Sequence, residues 1–68
     1  MDIRKKFGKK IFDLRTAKGL SQEALALKAD IDRTYIPSIE KGNRNVSIII
    51  IEKLANALDV PINELLNF

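Results

Sequence analysis

Apolar residues recur along the chain in stripes of helical spacing, and a capping residue precedes nearly every stripe. Ile3, Phe7, Ile11 and Leu14 make the first, predicting a helix from an Asp2 cap to about Lys18 that Gly19 ends. Leu20 then packs inward and Ser21 caps a second helix of strong helix formers, Gln22 to Lys28. Ala29, Asp30 and Ile31 separate it from a third helix, Arg33 to Lys41, which starts after an Asp32 cap, carries Ile36 and Ile39 inward and stops at Gly42. After the polar loop Asn43-Arg44-Asn45, Ser47 caps a fourth helix to about Leu58, with Ile48, Ile51, Leu54, Ala55 and Leu58 at helical spacing. Four consecutive isoleucines alone suit a buried strand, but the cap before them and the EKLANAL continuation decide for helix. Pro61 opens a short fifth helix, Ile62 to about Leu66.

This pattern predicts one all-α domain, residues 1–68, of five helices. Helices two and three, joined by a tight turn with an inward Ile31, have the helix-turn-helix layout, whose second helix enters the DNA major groove. Ala26 is small where the two helices cross. Asp30 falls where such turns usually hold a left-handed glycine, a conformation Asp tolerates better than most residues.

Length narrows the physics. A chain of 68 residues buries only roughly 60% of its unfolded surface, so it needs further support. Cysteine and histidine are absent, which removes disulfides, the usual zinc ligands and the commonest general base. A partner subunit is the remaining support. The scattered carboxylates assemble no catalytic constellation, so an enzyme is rejected, and neither metal, cofactor nor small-molecule ligand is expected.

Charge sharpens the picture. The net charge is +3, and Arg4, Lys5, Lys6, Lys9, Lys10, Arg15 and Lys18 face only Asp2 and Asp13 in the first eighteen residues. Such a segment suits a polyanion or serves as a solvated face. Membrane binding is disfavoured because the apolar stripe of the first helix is needed for the core. The charged amino terminus, the short apolar runs and the missing cysteines point to the cytoplasm.

The stretch from Leu20 to Leu58, LSQEALALKADIDRTYIPSIEKGNRNVSIIIIEKLANAL, resembles the phage-repressor/Cro-type, or XRE, helix-turn-helix family. Within it, DRTYI and IEKG.RNVS followed by IEKLANAL are similar to the controller proteins of restriction–modification systems. The resemblance implies a lambda-repressor-like fold and a transcriptional regulator that binds double-stranded DNA as a homodimer, with RNA polymerase as a further partner. A phage-type repressor or a toxin-neutralising antitoxin is the alternative, distinguished by the neighbouring genes.

Site residues follow from the resemblance position by position. Ser21 and Gln22 match positions that contact phosphate, and Gln22 also braces the recognition helix. Arg33, Thr34 and Ser38 match positions that face base edges, where Arg forks onto guanine and a Thr methyl packs on thymine. Tyr35 matches a backbone-contacting position, with a place in the core as its alternative. Lys41, Asn43 and Arg44 match a phosphate-clamping loop, and Arg15 with Glu40 matches an ion pair between the first and recognition helices. Pro37 departs from the pattern: inside a helix beginning at Arg33 it would remove a hydrogen bond to the Arg33 carbonyl, at a cost of up to about 3 kcal/mol.

The fourth helix carries more apolar surface than one core needs. Ile49, Ile50, Leu65, Leu66 and Phe68 are the expected dimer interface, within a dimerisation region of about residues 47–68, while residues 21–41 form the helix-turn-helix core. A symmetric dimer would present two recognition helices about 34 Å apart to the half-sites of a pseudo-palindrome.

Overall fold

The computed structural model describes residues 2–68, and every regular element among them is a helix. Four α-helices follow one another: α1 (Ile3–Ala17), α2 (Gln22–Ala29), α3 (Tyr35–Glu40) and α4 (Ile48–Leu58). A 3-10 turn (Ile62–Leu66) takes the place of the expected fifth α-helix.

Side-chain caps set three of the starts. Asp2, Ser21 and Ser47 accept the backbone N–H groups of Arg4, Ala24 and Ile50, each satisfying a donor left over in the first turn. All four helices end in one way, with a left-handed residue whose successor donates back to the carbonyl five residues earlier. Those left-handed residues are Gly19, Asp30, Gly42 and Asp59, and the returning bonds run from Leu20 to Arg15, Ile31 to Ala26, Asn43 to Ser38 and Val60 to Ala55.

The core lies where α1, α2, α3 and α4 converge on the terminal turn. Ile11, Leu25, Ile36, Leu54, Leu58 and Leu65 are fully buried, with Phe7, Ala26 and Ile39 around them. Leu14, Leu20 and Ile31 pack against it half-buried, as the stripes predict. Gly8 lets α1 approach α3 closely: a Cβ there would collide with the Ile39 carbonyl oxygen. Lys10 of α1 bonds Glu64 at 3.1 Å and ties the terminal turn in place.

Two expected inward positions and one expected interface position are corrected. Ile3 lies beyond the edge of the core and is exposed. Ile48 is 79% exposed, and α4 instead turns Ile50 and Ile51 toward the core ahead of Leu54. Leu65, expected at a dimer interface, is 0% exposed and anchors the terminal turn within the monomer, so it has no surface to offer a partner.

Candidate nucleic-acid interface

The α2–α3 crossing is locked by a buried polar network. Arg15 Nε donates to Glu40 Oε2 at 2.6 Å and its Nη2 to Oε1 at 3.0 Å, while Nη1 reaches the Leu20 carbonyl. Gln22 Nε2 donates to the same Oε1 at 3.0 Å. Glu40 holds the Arg15 guanidinium in its charged form and raises its pKa. A fork-to-fork pair whose third nitrogen is bonded to a backbone carbonyl fixes geometry as well as charge. The end of α3 is thereby bound to α1 and to the first residue of α2. Gln22 thus has a bracing contact, with its side chain at the edge of the network.

Ahead of α3 the chain departs from expectation. The helix begins at Tyr35, so Arg33 and Thr34 form a turn that leads into it. Asp32 organises that turn: one carboxylate oxygen accepts the Thr34 N–H at 2.8 Å and the Thr34 hydroxyl at 2.7 Å, and its carbonyl accepts the Tyr35 N–H. These bonds, the backbone N–H first, lower the Asp32 pKa. Asp and Thr compete with helical bonding in this way wherever a side-chain oxygen can reach a nearby N–H. The shift also removes the expected penalty of Pro37. As the third residue of α3 it lies in the first turn, where its missing N–H has no helical carbonyl to bond.

Around this turn the candidate residues divide by exposure. Ser21, Arg33, Thr34, Lys41 and Asn43 are exposed, whereas Gln22, Tyr35, Ser38 and Arg44 are half-buried. The Ser21 hydroxyl is already engaged as a cap. Arg33 donates through Nη1 to Glu23 Oε2 at 3.0 Å. Arg44 stacks its guanidinium 4.1 Å from the centre of the Tyr35 ring, a favourable cation–π geometry. Its Nε is buried without a hydrogen-bond partner among the described residues. Tyr35 therefore joins neither the core proper nor open solvent: it supports the loop arginine from the side.

Four of the seven basic side chains in the first eighteen residues have an acidic partner. Arg4 pairs with Asp2, Lys9 with Asp13, Lys10 with Glu64 and Arg15 with Glu40, and Arg4 draws the Asp2 carboxyl down to about 2. Lys5 instead lies against the loop after α3: a Cβ on Gly42 would stand 2.6 Å from its Cγ. Sequence reading missed the Glu23–Arg33 and Tyr35–Arg44 contacts, ten and nine residues apart, because neither spacing is a helical repeat.

Comparison with known proteins settles the family. A helix-turn-helix family model matches residues 11–65. The chain belongs to the helix-turn-helix family. It is 48% identical over 68 residues to control protein C.BamHI of Bacillus amyloliquefaciens, covering 98% of this chain and 84% of that one. The crystal structure of the restriction–modification controller protein C.AhdI from Aeromonas hydrophila superposes with a TM-score of 0.89 at 53% identity, covering 91% of this chain and 94% of that one. The biofilm master regulator SinR, solved in complex with DNA, gives 0.85 at 39% identity over 90% and 98% of the two chains. Controller proteins, the subfamily that the sequence resembles, are thus among the relatives of this helix-turn-helix chain.

Proposed function

We propose that the protein is a controller-type transcriptional regulator that reads double-stranded DNA as a homodimer on a pseudo-palindromic operator. The observation that carries the reading is the Asp32-organised turn, which presents exposed Arg33 and Thr34 beside a recognition helix fixed from behind by Arg15, Glu40 and Gln22. Arg33 forks onto guanine and Thr34 packs on an adjacent thymine. Lys41 and Asn43, with Ser21 at the start of α2, take phosphates on either side. Arg44, held against Tyr35, presents its terminal nitrogens to the backbone, and Ser38 lies one turn further along α3.

The last third of the chain, residues 47–68, supplies the dimer contact. Ile48, Ile49, Ile62, Leu66 and Phe68 are large apolar side chains left exposed. Ile50 contributes only the part of its surface that the core leaves open. Among the described residues no helix is long and apolar enough to cross a membrane, and the reading puts the protein with the DNA it regulates, in the cytoplasm. RNA polymerase is the further partner of a regulator acting at a promoter.

Arg33→Ala tests the reading. Loss of a bidentate base contact costs about 1–3 kcal/mol on the preferred site and relaxes one base pair per half-site. Affinity for random DNA falls much less, because phosphate contacts supply that term. Selection from a random duplex library with both proteins measures the two effects. Equal losses on preferred and random DNA, with an unchanged preferred sequence, would show that Arg33 reads no base.

A further inference from the structure

Glu23 has no part in the reading above, yet it holds the residue on which that reading turns. Its carboxylate stands at the start of α2 and takes one hydrogen bond from Arg33 across the turn, at 3.0 Å, from Nη1 alone. Both side chains are 73% exposed, and together with Gln22, Thr34 and Pro37 they line one shallow cleft. An arginine has five N–H donors in a rigid plane. With Nη1 engaged, the Nε and Nη2 edge remains free, and that edge is itself a two-pronged fork able to meet a pair of acceptors.

We propose that Glu23 is a specificity-determining positioning residue: it fixes the plane of Arg33 so that the free fork meets the O6 and N7 of a guanine. The proposal rests on Arg33 being a base-reading residue. A free arginine on a DNA-facing surface is drawn to the nearest phosphate, which carries no sequence information. Glu23 opposes that collapse in two ways. It orients the guanidinium before DNA arrives, so less side-chain freedom is lost on forming the base contact. Its own negative charge also repels the phosphates toward which the arginine would otherwise swing, a penalty that falls more heavily on the phosphate-bound arrangement than on the base-bound one. Selectivity is the difference between the two affinities, and Glu23 acts on both.

An ion pair between exposed side chains shifts an equilibrium by no more than about fivefold, which sets the size of the effect. The experiment selects preferred sites from a random duplex library with the wild-type protein and with Glu23→Gln, Glu23→Asp, Arg33→Ala and the double variant Glu23→Gln/Arg33→Ala. Affinities for the selected and a scrambled duplex are then measured at several salt concentrations. Glu23→Gln should raise affinity for scrambled DNA and weaken discrimination at the Arg33-read base pair by roughly two- to fivefold. Glu23→Asp, which keeps the charge, should recover part of that discrimination. In the Arg33→Ala background, Glu23→Gln should leave base preference untouched while still raising general affinity. Unchanged preference with Glu23→Gln, in a protein whose preference Arg33→Ala does relax, overturns the role of Glu23 and leaves the reading of Arg33 standing. Unchanged preference with Arg33→Ala overturns both.

Discussion

Helices α2 and α4 are built to the same plan and face the world differently. Each starts at a serine whose hydroxyl accepts the N–H three residues on. Each ends at a left-handed aspartate followed by a β-branched residue that bonds back into the last turn. Each buries a leucine with an alanine beside it, Leu25 with Ala26 and Leu54 with Ala55. Away from the core, α2 carries Gln22 and Glu23, both hydrogen-bonded to residues around the recognition helix. The start of α4 carries Ile48 and Ile49, which the rest of the described chain leaves uncovered. The terminations specify that a helix forms, and the outward faces specify what it meets. The start of α2 presents polar, charged side chains, with Leu27 exposed further along the helix, whereas the start of α4 presents isoleucines.

The strongest way to break this contrast is to make α4 resemble α2. Ile48→Asp with Ile49→Asp should leave the monomer fold intact, since both side chains are largely exposed. Burying an isoleucine contributes about 1.5–3 kcal/mol, and a symmetric dimer would lose several such terms. Its dissociation constant should therefore rise at least about a hundredfold. Sedimentation measures the mass, and the helical circular dichroism signal checks the fold. An unchanged dimer would move the interface elsewhere. Ile50→Asp separates the two roles, because Ile50 packs against the core and its replacement should lower monomer stability in addition to weakening the dimer.

Next in size is the polar network around α3. Glu40→Ala strands Arg15, whose side chain is 11% exposed beside a Glu40 at 7%. Removing one partner of a buried pair costs about 3–5 kcal/mol, a large share of the roughly 5–15 kcal/mol a domain has. Denaturant unfolding should show that loss, together with weakened DNA binding as α3 loses its tie to α1. A change below about 1 kcal/mol would mean the pair is solvated rather than buried. Among the described residues the side chains of α4 make only an exposed bond from Lys53 to the Asp30 carbonyl, so single polar-to-alanine changes within that helix should have small effects.

The same contrast explains what the sequence discloses. Caps and left-handed terminators act within five residues, so Asp2, Ser21, Ser47, Gly19 and Asp30 are legible directly, and both ends of α1 and α2 and the start of α4 follow from them to within a residue. Which face of a helix docks is decided by neighbours distant in sequence. Ile48 and Ile50 are chemically identical, and only the packing of α4 against α2 and the terminal turn turns one out and the other in. The start of α3 was misplaced because Asp32 caps a turn as readily as a helix. The Arg15–Glu40 pair came from the family resemblance, since a separation of 25 positions leaves no spacing signal. Glu23, the missed member of the site, bonds across a turn whose geometry exists only once Asp32 has folded it.

The smallest effect tests the claim that the two helices share their terminations. Asp30 and Asp59 hold φ near +57° and +58°, a conformation glycine adopts without the Cβ strain other residues meet. Each also sets a carboxylate at the carbonyl end of a helix, where negative charge is unfavourable. Glycine removes both penalties, and asparagine, which tolerates the same backbone, removes only the second. Asp30→Gly and Asp59→Gly should each stabilise the protein by about 0.5–1 kcal/mol, and the asparagine variants by about 0.3–0.5 kcal/mol. Raising the salt concentration should shrink the asparagine gain, which is electrostatic, and leave the backbone part of the glycine gain. The two sites should give matching values that add in the double variant, being separate motifs. A gain at one site and a loss at the other would mean that one aspartate side chain has a role outside its helix end, and would break the equivalence of the two helices at the point where their backbones agree best.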